Sequence, residues 1–404
     1  MNPGTRKEAA MKNVKKRYAS VAYGGMDVHR KFSNVTLRDA KGEVVARERL
    51  DHVDRRKLRE HLARWPQGTL LVMEASFGWP WLSDEVEAAG HEPRLSNCYK
   101  LEHMRKARGL PKTNKRDADL VSLLPQEKKP WWVVWRASPE VRDLREWMRH
   151  RMGLVWMQTE VKNRVHALFH RHGIFYEEAT DLFGGLGRQF LFALCQTGRH
   201  ANGTLPEGAL EALRSDVRML RALRAELATL TKRLKGRLPR DPLVRRLMTI
   251  PGIGLILAHV LASEIGTLER FKNHDKLMAY VCLAPQCDDT GEPDPKRKPL
   301  GRFLGDRGNR TLKWAFILAA HGAVRHGGKW RELYDRHTDG GTKNRGRGFI
   351  KVAGRLVTVV YAIWKNGTTY QETPPARPGS RPSGRRKRDS RPGTGQLGVA
   401  MVQA

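Results

Sequence analysis

The spacing of apolar residues changes once along this chain of 404 residues, and that change limits the folds it can adopt. Five short runs near the start have the length and residue types of β-strands: residues 21–28, 33–38, 44–49, 69–75 and 93–96. Two helix-like runs separate the later ones: residues 55–65 and 81–89. From Ser138 onward, apolar residues recur mostly at three- and four-residue steps. The pattern predicts a mixed α/β sheet followed by a helical remainder.

Composition and periodicity together predict five segments along the chain. They are a basic flexible arm (1–17), an α/β domain (18–136), a helical or coiled-coil spacer (137–240), a mainly α-helical C-terminal domain (241–372) and a disordered basic tail (373–404). Leucines at helical spacing between Leu213 and Leu234 suggest the coiled coil. An ordinary amphipathic bundle explains the same spacing, so both interpretations stay open.

The net charge of +33 comes from 75 Lys and Arg against 42 Asp and Glu, and requires an anionic partner, most often nucleic acid. Most of it remains when both termini are left out. No run of 18 apolar residues and no signal peptide are present, so we expect a cytoplasmic protein without a membrane partner. The four cysteines are scattered, which favours reduced thiols over a zinc site.

Three carboxylates occupy positions where chemistry is expected. Asp27 closes the first predicted strand, Glu74 ends the buried strand, and Asp117 begins a predicted helix. A buried carboxylate needs a partner, and Mg²⁺ prefers carboxylate oxygens while keeping waters for a substrate phosphate. Two such ions can activate a hydroxyl and stabilise the leaving oxygen of a phosphodiester. Each residue also has a structural explanation. Asp27 could be a turn residue at the strand end, Glu74 could pair with an arginine, and Asp117 could be a carboxylate that complements the helix dipole.

The C-terminal part contains a glycine turn and a dense basic segment. Gly252 and Gly254 lie between two apolar helical runs, a helix–hairpin–helix pattern whose backbone N–H groups can approach a DNA phosphate. A helical turn without a ligand is the alternative. The basic residues predicted to grip nucleic acid are Lys296, Arg297, Lys298, Arg302, Arg307, Arg310 and Lys313. A solvated charged face is the alternative explanation for them.

Four motifs in a fixed order, the last in two parts, resemble the transposases of the insertion sequence 110 family, the DEDD group that includes the Piv invertases. They are GMDVHRK (25–31), VMEAS (72–76), KTNKRDA (112–118), IPGIG (250–254) and YVCLAP (280–285). The resemblance covers nearly the whole chain from about Ala22 to Tyr370. It implies an RNase H-like (RuvC-like) first domain in which Asp27, Glu74 and Asp117 bind Mg²⁺.

This chain departs from the family pattern at two chemical positions. The family's third carboxylate aligns with Asn114, a neutral residue. Asp119 is a poor substitute, since it lies roughly 200° around a helix from Asp117. The resemblance also implies a C-terminal hydroxyl nucleophile that forms a transient covalent link to DNA; the family uses serine, whereas this chain has Thr290 before Gly291. Threonine can act as a nucleophile, but its methyl group hinders attack, and a turn residue is the alternative.

The resemblance implies a DNA recombinase that cuts and rejoins strands at element ends and target. It further implies guidance by a noncoding bridge RNA, a composite site formed by a homodimer or homotetramer, and a nucleoid-associated protein in a bacterial cytoplasm. Two other hypotheses stay open. The chain could be a repurposed homologue that binds DNA or RNA without catalysis, or a RuvC-like metal-dependent nuclease in which Thr290 has no chemical role.

Overall fold

The computed structural model describes residues 16–111, 114–127, 130–178, 180–286, 303–305 and 308–372, and every structural statement below concerns these residues. The chain divides into two compact units. The first comprises residues 1–157 and 265–270, and the second comprises residues 158–264 and 271–404. The predicted boundaries at residues 137 and 241 stay predictions, and most of the predicted arm and the whole predicted tail lie outside the described residues.

A six-stranded mixed sheet forms the centre of the first unit. Its strands are β1 (Val21–Val28), β2 (Phe32–Asp39), β3 (Val44–Asp51), β4 (Leu70–Glu74), β5 (Glu92–Ser96) and β6 (Val133–Val134), in the order β3-β2-β1-β4-β5-β6. The first three form an antiparallel meander, and β4 and β5 run parallel to β1. The mixed α/β prediction is confirmed, and the topology is compatible with an RNase H-like domain.

Helices cover both faces of this sheet. They are α1 (Arg55–Leu62), α2 (Trp79–Ala88), α3 (Cys98–Ala107) and α4 (Asn114–Ser122). Met73 packs with residues of α1 and α2 in one buried cluster, whereas its neighbour Val72 packs with residues of α3 and α4 in another. Because successive strand residues point to opposite faces, α3 and α4 cover the face to which Val72 and Glu74 belong.

Gly25 on β1 lets helix α4 approach the sheet closely. A Cβ atom at Gly25 would lie 2.1 Å from the backbone nitrogen of Ser122 on α4, a distance at which the backbone would have to move. Gly25 and Asp27 are two residues apart on one strand and therefore share a face. The close approach thus brings α4 onto the face that carries Asp27.

We expect Gly25→Ala to destabilise the first unit by at least about 1–3 kcal/mol, the usual cost of overpacking, because the clash involves backbone atoms. Urea unfolding of the full chain measures this. Gly153→Ala is the matched control. Gly153 lies inside the helix over Pro139–Arg171 with open space around its Cβ position, so alanine should stabilise that helix slightly. Equal stability of the two variants would contradict the packing role of Gly25.

The remaining chain is mostly helical, as predicted. Its helices are α5 (Pro139–Arg171), α6 (Gly185–Thr197), α7 (Glu207–Arg237), α8 (Pro242–Leu247), α9 (Leu255–Ile265), α10 (His274–Tyr280), α11 (Arg310–His326), α12 (Gly328–Thr338) and α13 (Arg345–Asn366). Two short antiparallel strand pairs accompany them: β7 (Arg199–His200) with β8 (Gly203–Thr204), and β9 (Pro285–Gln286) with β10 (Phe303–Leu304). No helix among the described residues has the length and apolarity needed to cross a membrane.

The predicted spacer contains the two longest helices, α5 and α7. The second half of α5 packs with α6 and the first half of α7 around one apolar cluster that includes Val165, Leu191 and Leu213. Arg164 on α5 and Asp216 on α7 form an ion pair of 2.6 Å. Three helices share this cluster, so a two-helix coiled coil stays a prediction.

Gly252 packs against another helix in the second unit. It has a φ of +84°, and a Cβ atom there would lie 2.1 Å from the carbonyl oxygen of Ala319 on α11. Gly322 on α11 faces it in turn, since a Cβ at Gly322 would lie 2.7 Å from the Cα of Gly252. By contrast, the Cβ position of Gly254 meets no heavy atom within 4 Å. Packing thus gives Gly252 a structural role, while the helix–hairpin–helix function stays a prediction.

We expect Gly252→Ala to destabilise the second unit by about 2 kcal/mol or more, because it adds both a clash and an unfavourable positive φ. Gly254→Ala has neither problem and should leave the free energy of unfolding within about 0.5 kcal/mol of the parent. Thermal unfolding of both variants checks this. If Gly254→Ala alone weakened DNA binding, the phosphate-binding prediction would gain support at that residue.

Candidate active site

Strand register brings two of the predicted carboxylates onto neighbouring strands. Met26 on β1 pairs with Met73 on the parallel strand β4, so the next residues, Asp27 and Glu74, are in register at the carboxyl ends of both strands. Met26 and Met73 are fully buried against α1 and α2. Asp27 and Glu74 therefore belong to the opposite face, which α3 and α4 cover.

Asp117 lies on that same face, in the first turn of α4. The chain is helical here, as predicted, and α4 begins at Asn114. A carboxylate in the first turn is favourable beside the helix dipole, which is the structural explanation for Asp117. Its charge nevertheless reaches the strand, because the negative charge of Asp117 contributes to the raised pKa of Asp27. Asp27 and Asp117 therefore interact electrostatically.

Asp27 is a buried carboxylate that lies beside a histidine. Its residue is only 9% exposed, and Nε2 of His29 lies 2.9 Å from its Oδ2. The two atoms lie at ion-pair distance, although their angle departs from ideal hydrogen-bond geometry. Burial is the main cause that raises the pKa of Asp27. His29 and Asn34 lower this pKa, Asp117 raises it, and the net shift is upward.

Two side chains of α3 lie within electrostatic reach of the other carboxylates. Desolvation chiefly raises the pKa of the Cys98 thiol, and the charge of Glu74 raises it further. Hydrogen bonds to Glu102 are the main cause that raises the pKa of Arg105, and Asp117 adds to that effect. The first turn of α3 is thus near Glu74 and its last turn near Asp117.

Asp119 has a structural role on the edge of this face. Its carboxylate accepts hydrogen bonds from Thr36 Oγ1 at 2.7 Å and from Arg47 at 2.9 and 3.2 Å. Burial raises the pKa of Asp119, but these bonds and the Arg47 charge outweigh burial, and the pKa is lowered. Since Arg47 neutralises this carboxylate and Thr36 donates a hydrogen bond to it, Asp119 is poorly suited to replace a metal ligand at Asn114.

The carboxylates have one property that fits a divalent cation. A buried carboxylate whose pKa is raised by burial and by the charge of a second carboxylate is an arrangement that a divalent cation would stabilise. However, no group of three or more His, Cys, Asp or Glu residues in the described part of the chain is arranged to hold a metal ion. Magnesium at Asp27, Glu74 and Asp117 therefore stays a proposal.

The predicted C-terminal site residues are described only in part. Thr290, Lys296, Arg297, Lys298, Arg302 and Arg307 lie outside the described residues. Arg310 and Lys313 are described, and both lie in the first turn of α11. Asn309 caps that helix by accepting a hydrogen bond from the Leu312 N–H at 3.0 Å, and it donates one to the buried carboxylate of Glu264 at 2.8 Å.

Two family models match separate parts of this chain. A DEDD-type IS110 transposase model matches residues 24–174, which include the sheet and its carboxylates. The model described as "Transposase IS116/IS110/IS902 family" matches residues 244–335, which include the glycine turn and α11. The chain belongs to the IS110 family of transposases.

Relatives of this family member come from several bacteria. A "probable family 20 transposase" of Pseudomonas aeruginosa is 24% identical over 350 residues, which cover 86% of this chain and 98% of the relative. The transposase for insertion sequence element IS1328 of Yersinia enterocolitica is 23% identical, over 73% of this chain and 82% of its own. A 44.8 kDa protein of insertion element IS116 from Streptomyces clavuligerus is also 23% identical, over 70% and 76%.

The structure adds three residues to the neighbourhood of the carboxylates of this transposase-family chain. They are His29 beside Asp27, Cys98 near Glu74 and Arg105 near Asp117. His29 could have been found from the sequence, because it lies two residues after Asp27 in the same motif. Cys98 and Arg105 carry no such local signal, since the packing of α3 on the sheet brings them there.

Proposed function

We propose that this chain is a DNA transposase that cuts and rejoins DNA strands at the ends of an insertion element and at its target. The observation that carries the proposal is the register of β1 and β4. It aligns Asp27 with Glu74 on the face covered by α4, where the charge of Asp117 acts on Asp27. Family membership of both matched regions supports the same function.

In this proposal Asp27, Glu74 and Asp117 hold Mg²⁺, which when bound supplies positive charge for the phosphodiester oxygens. His29 holds the Asp27 carboxylate in place from 2.9 Å. The Thr290 oxygen attacks phosphorus, and the P–O bond to one strand end breaks. DNA is then linked to the protein through the threonine oxygen, and the released strand end leaves as a hydroxyl that carries the proton lost by Thr290. Asn114 occupies a fourth position with a neutral side chain.

The proposed partners are inferred from the net charge and from the distance along the chain between the carboxylates and Thr290. The net charge of +33 supports binding of nucleic acid, here element-end DNA and target DNA. The bridge RNA that would select them is proposed from the family resemblance alone, and the charge allows it. Arg310 and Lys313, with the basic residues between Lys296 and Arg307, are proposed to contact the scissile strand. Gly252 and Gly254 are proposed to approach phosphates through their backbone. A homodimer or homotetramer would combine the carboxylates of one subunit with the threonine of another.

The test is to incubate the purified full chain with Mg²⁺, DNA carrying the ends of its own element, and the flanking RNA. A covalent protein–DNA adduct on a denaturing gel is the expected result, and EDTA should abolish it. Omitting the RNA tests the guiding role separately. Salt-sensitive binding without adduct or cleavage would instead indicate a homologue that binds without catalysis. Cleavage without an adduct would indicate a metal-dependent nuclease.

A further inference from the structure

One face of helix α11 is left uncovered by the described residues and is both aromatic and basic. Five residues at helical spacing form it: Arg310, Lys313, Trp314, Ile317 and Leu318. They line a cavity of about 610 Å³, which Cys282 and His321 complete. We call these five residues the Trp314 face. The opposite face of α11 is buried through small residues, among them Ala315, Ala319 and Ala323, which let the helix pack tightly in the second unit.

The exposed apolar area of the Trp314 face has no structural explanation within the described residues. Trp314 is 43% exposed and Leu318 is 45% exposed, although both belong to a helix whose other side is fully buried. No described aromatic ring stacks on the Trp314 indole and no described cation lies over it. Single exposed apolar residues are ordinary, but a contiguous patch that lines a cavity is typical of a binding surface.

The charge of the Trp314 face identifies the kind of partner. Arg310 and Lys313 flank the indole on its N-terminal side, and no Asp or Glu lines the described cavity. The N-terminus of α11 adds the positive end of a helix dipole beside them. An aromatic ring with adjacent cations is the combination that binds single-stranded nucleic acid, because the base stacks on the ring and the phosphate pairs with the cations.

We propose that the Trp314 face binds an unpaired base of single-stranded DNA by stacking on Trp314, with the adjoining phosphate held by Arg310 and Lys313. The choice of DNA rests on the proposed function, since a transposase exposes unpaired DNA when it cuts and rejoins strands. The face would hold one base of the opened strand outside the duplex. Binding itself needs no catalysis, so it is measurable in EDTA and independently of adduct formation.

The experiment is fluorescence anisotropy of the full-length protein with a labelled oligothymidine of about 15 nucleotides, in EDTA, with an unlabelled blunt duplex of the same length as competitor. Trp314→Ala should weaken binding of the single strand about 5- to 150-fold, the usual effect of removing one stacking residue. Trp314→Phe should retain most of the affinity. Binding of the duplex should stay within about twofold in both variants.

Trp156 provides the matched control. It is 70% exposed on α5, more than Trp314, so Trp156→Ala removes a larger exposed aromatic surface outside the Trp314 face. It should leave single-strand affinity unchanged. Arg310→Ala should reduce the salt slope by about 0.7, as expected for one lost phosphate contact on a single strand, whereas Trp314→Ala should leave the slope unchanged. A 5-iodouracil-containing strand should crosslink to the peptide that contains Trp314.

Several results would overturn the proposal. Equal losses for single strand and duplex, or no loss in Trp314→Ala, would exclude base stacking at this face. A loss for oligouridine RNA but not for oligothymidine would assign the face to RNA instead. Dissociation of an oligomer in Trp314→Ala, seen by light scattering without a change in DNA affinity, would make it a protein interface. If the parent protein forms no covalent adduct but still binds the single strand in a Trp314-dependent way, only the proposed function is refuted.

Discussion

Thr290→Ala should abolish the covalent protein–DNA adduct, with the rate falling at least about a thousand-fold, while DNA affinity stays near that of the parent chain. The reason is chemical, since alanine has no oxygen that can attack phosphorus. Thr290→Ser should retain the adduct and form it faster, because serine keeps the hydroxyl and lacks the hindering methyl group. Single-turnover assays on denaturing gels, with affinity measured separately in EDTA, check both variants.

The control for this prediction is Thr368→Ala, which removes the hydroxyl of an exposed threonine in the described C-terminal part of the chain. It should leave adduct formation unchanged. Strand cleavage that persists at the parent rate in Thr290→Ala would contradict a covalent mechanism and favour the nuclease hypothesis. An adduct that persists in Thr290→Ala would place the nucleophile at another residue, which peptide mapping of the adduct would identify.

Asp27→Asn should have opposite effects on activity and stability. Removing one proposed Mg²⁺ ligand should reduce adduct formation roughly a thousand-fold, equivalent to about 4 kcal/mol of activation free energy. In EDTA, however, the same change should raise Tm at neutral pH, by roughly 2–4 °C for each kcal/mol gained. Asp27 is buried and its pKa is raised above the usual value, so its ionised form opposes folding.

The pH dependence of that stability difference follows from the direction of the pKa shift. A carboxyl group whose pKa is raised in the folded state costs no stability below its unfolded pKa of about 4, where both states are protonated. The cost appears as pH rises above that value and is complete above the folded-state pKa. The Tm advantage of Asp27→Asn should therefore be present at pH 7 and vanish below about pH 4.

Asp119→Asn is the matched control, with the opposite sign. The pKa of Asp119 is lowered, because hydrogen bonds and charge from Arg47 and Thr36 outweigh the effect of burial. Its contribution to stability is present above the unfolded pKa of about 4 and is lost as pH falls through the folded-state value. Asp119→Asn should thus lower Tm at pH 7. A lower Tm for Asp27→Asn as well would show that Asp27 stabilises the fold, contrary to our account.

The order of the first five strands and of helices α1 and α2 could be predicted from local patterns, whereas α3 and β6 are not among the predicted elements. Strand β1 spans Val21–Val28, as its apolar run predicts, and α7 contains the leucines from Leu213 to Leu234 whose spacing is helical. These predictions work because the hydrophobic period depends on residues two to four positions apart, which one stretch of sequence contains. The same holds for Asp117, whose place at the start of a helix is visible in its own segment.

The arrangement of the candidate site residues could be predicted only in part from the sequence. Motif order pointed to Asp27, Glu74 and Asp117 through a family resemblance, but their spacing along the chain gives no distance between them. The IPGIG segment suggested two phosphate-binding glycines, yet only the packing of α11 distinguishes Gly252, which is in close contact with Ala319, from Gly254, which is open. Trp314 likewise has no distinguishing signal in its own segment, and only the exposed fraction of its side chain sets it apart from a core aromatic residue.

Local sequence thus decided which segments are strands and which are helices, and it marked the residues with reactive groups. Tertiary structure alone decided that Asp27 and Glu74 are in register on one face, that Asp119 is bound by Arg47, and that Trp314 remains exposed. The physical reason is that register, close packing and burial join residues tens of positions apart. Such contacts depend on which faces pack together, and a single stretch of sequence does not specify the distant residues that it will contact.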